Sequence, residues 1–317
     1  MRRALPGGYI RLLILVLIVI AAGSGIGART ARFQAAAQGP AVSRIGANAS
    51  RLAGTKQVDN VGVYDPVKGT FYLHNVVAGE TRDLVVHFGP TNAKFQPLAG
   101  DWDGDGIDTV GLYDPAKGVF YLRNSNSDGL ENLVFQFGPA NGGAVAITGD
   151  WTAHSSDTIG LYDPVKSLFS LRTTSADGVE DTAFTFGAGN SQSSPIAGDW
   201  NGNGAETIGL YDPVKGIFSL RNANAGGKAD TQVQFGPVNG GLLPIVGDWN
   251  GDGIDTIGLY DPAKGIFYLR NTNDGGVADE AFGFGPVSAG MVPIAGHWMD
   301  NETATSSVAT AVPSRNP

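Results

Sequence analysis

Residues 97–138 read PLAGDWDGDGIDTVGLYDPAKGVFYLRNSNSDGLENLVFQFG, and the landmarks of that stretch recur along the chain at a fixed step. Its tryptophan returns at Trp102, Trp151, Trp200, Trp249 and Trp298, each 49 residues after the last. The pairs Tyr64-Asp65, Tyr113-Asp114, Tyr162-Asp163, Tyr211-Asp212 and Tyr260-Asp261 keep the same step, as do Phe88, Phe137, Phe186, Phe235 and Phe284. No insertion disturbs it from Val58 to Trp298, which predicts one contiguous repeat array.

Each repeat parses into four short strands. In the quoted copy these are A (Pro97–Trp102), B (Thr109–Asp114), C (Val119–Asn124) and D (Leu133–Phe137). Strand B alternates Val110 and Leu112 with Gly111 and Tyr113, the period of a strand with one buried face. Asp114-Pro115-Ala116-Lys117-Gly118 joins B to C. There proline presets the turn and glycine supplies the positive φ of a bulged hairpin. The third copy has Ser167 in place of that glycine, and a strained turn is expected there.

Four strands in a repeat of this length are the signature of a β-propeller blade. Proline falls in strand A of four copies (Pro97, Pro195, Pro244, Pro293), which suits an innermost strand at the channel. In the first copy Gly54-Thr55-Lys56 replaces the end of strand A, and the last copy is strand A alone, Val292–Trp298. The fold class is therefore all-β. We expect a five-bladed β-propeller over residues 54–298, closed by the C-terminal strand completing the N-terminal blade. An open stack would leave Trp298 without a partner and an edge exposed.

Composition agrees. The chain of 317 residues has 47 glycines, about twice the usual share of about 7%, which disfavours long helices. A hydrophobic content of 42% is enough for a core. The net charge of −9 argues against nucleic acid as a partner. Cysteine is absent, which excludes disulfides and thiolate chemistry. Arg2, Arg3 and Arg11 precede an apolar run from Leu12 to Ala22, with Ala22-Gly23-Ser24 as a small-residue cleavage site. Residues 1–24 thus read as a signal peptide or an uncleaved membrane anchor, and either implies an extracellular or cell-surface location. Membrane contact is expected only through such an anchor. Residues 25–53 read as a flexible leader and 299–317 as a disordered Ser/Thr/Ala tail.

The A–B loop of the second copy places Asp101, Asp103 and Asp105 at alternate positions, followed by Gly106, Ile107 and Asp108. Acids at positions 1, 3 and 5, a glycine turn and the Ile107 carbonyl are oxygen donors for one hard cation. Unneutralised, the carboxylates would repel one another. The fifth copy keeps the set with Asp248, Asn250, Asp252, the Ile254 carbonyl and Asp255. Calcium is the expected cofactor of these two loops, with a weaker third at Asp199–Glu206. The third copy (Asp150, Thr152, His154, Asp157) is expected to bind nothing. The competing reading is a turn whose aspartates only cap backbone amides.

Loop, hairpin and Phe137-Gly138-Pro139 together resemble the FG-GAP/VCBS repeats of bacterial secreted proteins, which are similar to the calcium-binding blades of integrin α chains. The resemblance spans residues 58–298. It implies an extracellular calcium-binding propeller for adhesion or ligand binding. It also implies calcium ligation by Asp101, Asp103, Asp105 and Asp108, and by Asp248, Asn250, Asp252 and Asp255. The family often places its last aspartate at loop position 9 and often has seven blades; here the position is 8 and the blades number five. Asp108 and Asp255 could therefore ligate the ion or hold a neighbouring group.

Other columns bear on function. Arg123, Arg172, Arg221 and Arg270 (His74 in the first copy) could form an anion-binding rim or structural Arg–Asp pairs. The predicted register sets Thr109 opposite Arg123 and its guanidinium near Asp108. The tryptophans could be sugar-stacking platforms or inter-blade packing, and packing is favoured. The lysines Lys68, Lys117, Lys166, Lys215 and Lys264 fall in exposed turns. An enzyme would need two asymmetric carboxylates facing each other across the channel. The symmetry-breaking acids Glu80, Glu131, Glu180, Glu206, Glu280 and Glu302 include none on strand A. No nucleophile or phosphate-binding motif appears in context. The expectation is thus a noncatalytic, monomeric binding or adhesion module for a protein or glycan. The alternatives are a carbohydrate-active enzyme and a passive envelope protein.

Overall fold

The computed structural model describes residues 58–299, apart from 78, 190, 191 and 289. The signal or anchor, the leader and the tail after Met299 lie outside the described residues, as does Gly54-Thr55-Lys56. Every element among the described residues is a strand. The first blade uses β1 (Asn60–Asp65), β2 (Thr70–Leu73) and β5 (Leu84–His87), with a short ribbon of β3 (Val76–Val77) and β4 (Glu80–Thr81) between the last two. The second is β6 (Gln96–Gly100), β7 (Thr109–Asp114), β8 (Val119–Leu122) and β9 (Leu133–Gln136). The third is β10 (Val145–Gly149), β11 (Thr158–Asp163), β12 (Leu168–Leu171) and β13 (Thr182–Thr185). The fourth is β14 (Ser194–Gly198), β15 (Thr207–Asp212), β16 (Ile217–Leu220) and β17 (Thr231–Gln234). The fifth is β18 (Leu243–Gly247), β19 (Thr256–Asp261), β20 (Ile266–Leu269) and β21 (Glu280–Gly283). The last strand, β22 (Val292–Gly296), returns to the first blade.

Each blade is an antiparallel meander in chain order, and the first has the order β22-β1-β2-β5. Its closure pairs Asn60 with Gly296 and Tyr64 with Val292. The innermost strands touch in sequence from β6 through β10, β14 and β18 to β22, and β22 touches β6 again. The chain is a closed five-bladed β-propeller.

Strand B is buried on both faces, not one: Val110 and Leu112, and equally Tyr113 and Thr109, are shielded from solvent. The cause is blade stacking. Tyr113 and Phe120 pack inside their own blade, whereas Val110 and Leu112 enter the core of the first blade. Ile159 and Leu161 of the third blade likewise fill the core of the second. Apolar side chains on both faces of one strand thus weld adjacent blades. On the own-blade face Gly111 makes room for the core, because a Cβ there would lie 2.8 Å from Leu122 and 3.3 Å from Trp102. At the B–C hairpin Gly118 has φ +71°, while Ser167 adopts φ +51° at the matching position. That is the strained turn expected of the third copy, and the Ser167 hydroxyl lies 3.3 Å from Tyr162 Oη.

Candidate functional site

The A–B loops all emerge at one end of the blades, and the aspartate at loop position 1 organises each of them. Asp101 is buried, and its carboxylate accepts hydrogen bonds from the amides of Gly104 (2.7 Å), Asp105 (3.0 Å) and Gly106 (2.8 Å). Gly104 and Gly106 turn the chain with φ of +75° and +90°. This folding brings one oxygen each of Asp101, Asp103 and Asp105 within 4.8 Å of one another. Among the described residues this is the one such cluster of three acidic or histidine side chains. Burial raises the Asp101 carboxyl above its usual range, with the three amides partly offsetting it. Asp103 is exposed and accepts from Asn124 Nδ2 at 3.0 Å. Asp105 is also exposed and accepts from the Ile107 amide at 2.9 Å. The donor set is three carboxylates, all hard oxygens, and it fits a calcium-type ion.

The fifth loop has the same shape with an internally satisfied set. Asp248 accepts from the amides of Asp252 (3.1 Å) and Gly253 (2.7 Å). Asn250 Nδ2 donates to Asp252 at 3.0 Å, and Ile254 N donates to Asp252 Oδ1 at 2.8 Å. In the third loop Asp150 still accepts from His154 and Ser155, although Ala153 and Ser155 must take φ of +56° and +67°. Amide capping by the first aspartate is therefore common to intact and eroded loops alike.

Asp108 and Asp255 do not join their own loops' clusters. They turn to the neighbouring blade, the second of the two roles left open by the sequence. Asp108 Oδ2 accepts from His297 N at 2.7 Å, and Asp108 N donates to the His297 carbonyl at 2.8 Å. Asp255 does the same with Asp199, at 2.7 and 3.0 Å. Two residues passed over as ligands complete the pattern. Asp157 clasps Asp101 at 2.8 and 2.7 Å, and Asp59 clasps Asp248 at 2.9 and 3.0 Å. Glu206 keeps only the backbone half, donating to the Asp150 carbonyl at 2.9 Å. Asp59, Asp108, Asp157, Glu206 and Asp255 thus form a ring of carboxylates, one per blade, with every clasp crossing a blade boundary. The signal was present in the sequence as five acids at the repeat step. It was hidden because four of the five also lie at position 8 of a loop that opens on an aspartate, where each reads as a metal ligand.

Burial, reinforced by repulsion from neighbouring carboxylates, raises three carboxyls of this ring. Asp59 and Glu206 lie well above the usual carboxylate range, and Asp255 is pushed up to about 6. Glycines make room for the ring: a Cβ on Gly100 would sit 2.9 Å from Asp157 Oδ2, and one on Gly247 would sit 3.0 Å from Asp59 Oδ2.

The arginine column serves the opposite, outer side of the sheet from what the predicted register implied. Arg123 N donates to the Val110 carbonyl, so Val110 and not Thr109 faces Arg123. Its guanidinium bonds the Leu130 carbonyl and Ser125 Oγ and stacks 5.7 Å from the Phe88 ring of the first blade. The one-residue shift reverses the side chain's direction, as strand geometry requires. Arg221 pairs with Asp230 at 3.0 Å and Arg270 with Asp279 at 2.9 Å, the structural pairs that were the alternative. All five tryptophans are buried, Trp102 against Gly100 and Gly111, so none is a surface platform for sugars. The turn lysines are exposed, yet each reaches the aspartate three residues earlier, at 2.7–3.3 Å.

No protein-family model matches the chain, and no curated protein is detectably similar to it in sequence. What the fold itself defines is the class, a five-bladed β-propeller of four-stranded antiparallel repeats.

Proposed function

We propose that this chain is an exported, noncatalytic calcium-binding propeller of the FG-GAP/VCBS type, an adhesion or ligand-binding module for a protein or glycan. The convergence of Asp101, Asp103 and Asp105 within 4.8 Å carries the calcium reading. A bound ion would neutralise carboxylates that otherwise repel, which is a structural role and not a chemical one. Asp248, Asn250 and Asp252 supply the second loop, with less charge. Export rests on the basic and apolar residues 1–24.

The ligand face on this reading is the opposite end of the strands, where the B–C hairpins lie beside D–A loops such as Pro139-Ala140-Asn141-Gly142-Gly143. Exposed Val67, Val165, Val214, Val238 and Val287 are on those turns and loops, and surface apolar groups of this kind supply contact area.

The test is a melt of the exported form in chelator and in calcium. At ten times Kd each filled site stabilises the fold by about 1.4 kcal/mol. A domain of this size gains about 2–4 °C per kcal/mol. Asp103→Asn with Asp105→Asn should remove the part of the shift due to the second blade. An unchanged wild-type midpoint would refute calcium binding.

One observation favours a second reading, a carbohydrate-active enzyme. Glu206 breaks the symmetry of the ring, and burial and the neighbouring acids hold its carboxyl high, as in a general acid. Hydrolysis of a glycoside panel that vanishes in Glu206→Gln would support it; no hydrolysis by wild type would exclude it.

A further inference from the structure

We propose that Asp157 and Asp59 are positioning residues for the cation loops of the blades beside them. Loop occupancy and closure of that blade boundary would then be one linked equilibrium. The inference rests on the calcium reading above.

Asp101 is the pivot of the second loop, because three loop amides converge on its carboxylate. Its own backbone is fixed from outside the blade. Asp157 takes the Asp101 amide on Oδ2 at 2.8 Å and gives its amide to the Asp101 carbonyl at 2.7 Å. Asp157 itself immediately precedes β11, so the ladder of the third blade, starting at Gly149 and Thr158, sets its place. Asp59 holds Asp248 in the same two-point way, at 2.9 and 3.0 Å. It immediately precedes β1, whose first pair, Asn60 with Gly296, is the seam that closes the ring. The fifth loop is therefore tied to the closing seam and the second loop to the next blade.

A cation draws flexible arms onto a fixed pivot. Loss of an outer-shell partner typically costs about 10–100-fold in metal affinity. Linkage makes the effect reciprocal: an ion that prefers the clasped state stabilises the clasp by the same factor. The fourth loop keeps the full clasp at Asp199 and the third keeps its backbone half at Asp150, despite fewer acids. Joining blades is thus the general duty of the ring, and holding a metal pivot is the added duty of Asp157 and Asp59.

Glutamate is a fold-compatible probe, since Glu206 already occupies this place in the fourth blade. No hydrogen bond links the Glu206 carboxylate to the Asp150 amide among the described residues. Calcium titration by calorimetry of wild type, Asp157→Glu and Asp59→Glu is the experiment. Each variant should weaken one site by about 10-fold or more and leave the other unchanged. The calcium-induced rise in melting midpoint should shrink in parallel. Asp157→Asn keeps an acceptor for the Asp101 amide and should restore most of the affinity. Phe169→Leu, in the buried core of the third blade, should lower the midpoint in chelator without altering affinity. Wild-type affinity at both sites in the two glutamate variants would overturn the inference and leave the calcium reading standing. Failure of wild type to take up calcium would overturn both.

Discussion

Five residues at one repeat position show how far a residue's neighbours decide its work. Asp108 and Asp157 stand at the same loop position as Glu206, and all three look like the last ligand of a metal loop. The structure gives each of them a partner in the adjoining blade instead. Glu206 yields a pH prediction with a definite sign. Burial raises its folded-state pKa above the unfolded value of about 4.3. Between those two values the folded protein holds more protons than the unfolded chain. Stability from this group is therefore present at low pH and is lost as pH rises through the folded pKa. Glu206→Gln abolishes that loss. In chelator, its melting midpoint should exceed wild type at pH 8, with the gap closing towards pH 4.5. A gap independent of pH would contradict the account.

At the scale of the element, strand identity was legible and strand environment was not. The alternation in Thr109–Asp114 located β7 to the residue. It implied one wet face because nothing in a single repeat says that another repeat lies against it. Strands C and D end one or two residues earlier than expected, at Leu122 and Gln136. Strand A runs from Gln96 to Gly100, leaving Trp102 in the loop, where its ring folds back over Gly100. The closing strand β22 offers a direct test. Trp298 is 1% exposed and its Nε1 donates to the Val61 carbonyl of β1 at 3.4 Å. Trp298→Ala should cost about 3–5 kcal/mol, read as a fall in the denaturant midpoint with the slope unchanged. A loss below 1 kcal/mol would mean the seam does not depend on this contact.

The whole molecule has two unlike ends. At the hairpin end the aspartates Asp65, Asp114, Asp163, Asp212 and Asp261 are each matched by a lysine. At the other end the A–B and C–D loops and the carboxylate ring gather most of the remaining acid of the described residues. The seam between first and last blades uses the same pairing and the same clasp as the boundaries inside the chain. His297 Nδ1 lies 3.4 Å from the Val58 carbonyl, so the ends of the described chain meet. A circular permutant that joins 299 to 58 by a short linker and opens between Asn141 and Gly142 should fold with a near-native melting midpoint. Collapse of that permutant would show that the position of the seam matters beyond its contacts.

The sequence by itself determined the repeat, the four strands of each blade, the blade count and the closure. These follow from local periodicity and turn chemistry, which each 49-residue copy carries within itself. Only the tertiary structure decided the direction of the arginines and the burial of strand B on both faces. It alone turned Asp108 and Asp255 away from the loops in which they lie. Those outcomes depend on which groups a neighbouring blade presents across the boundary. A carboxylate at a blade edge goes to the amide it can reach, and that amide belongs to another repeat.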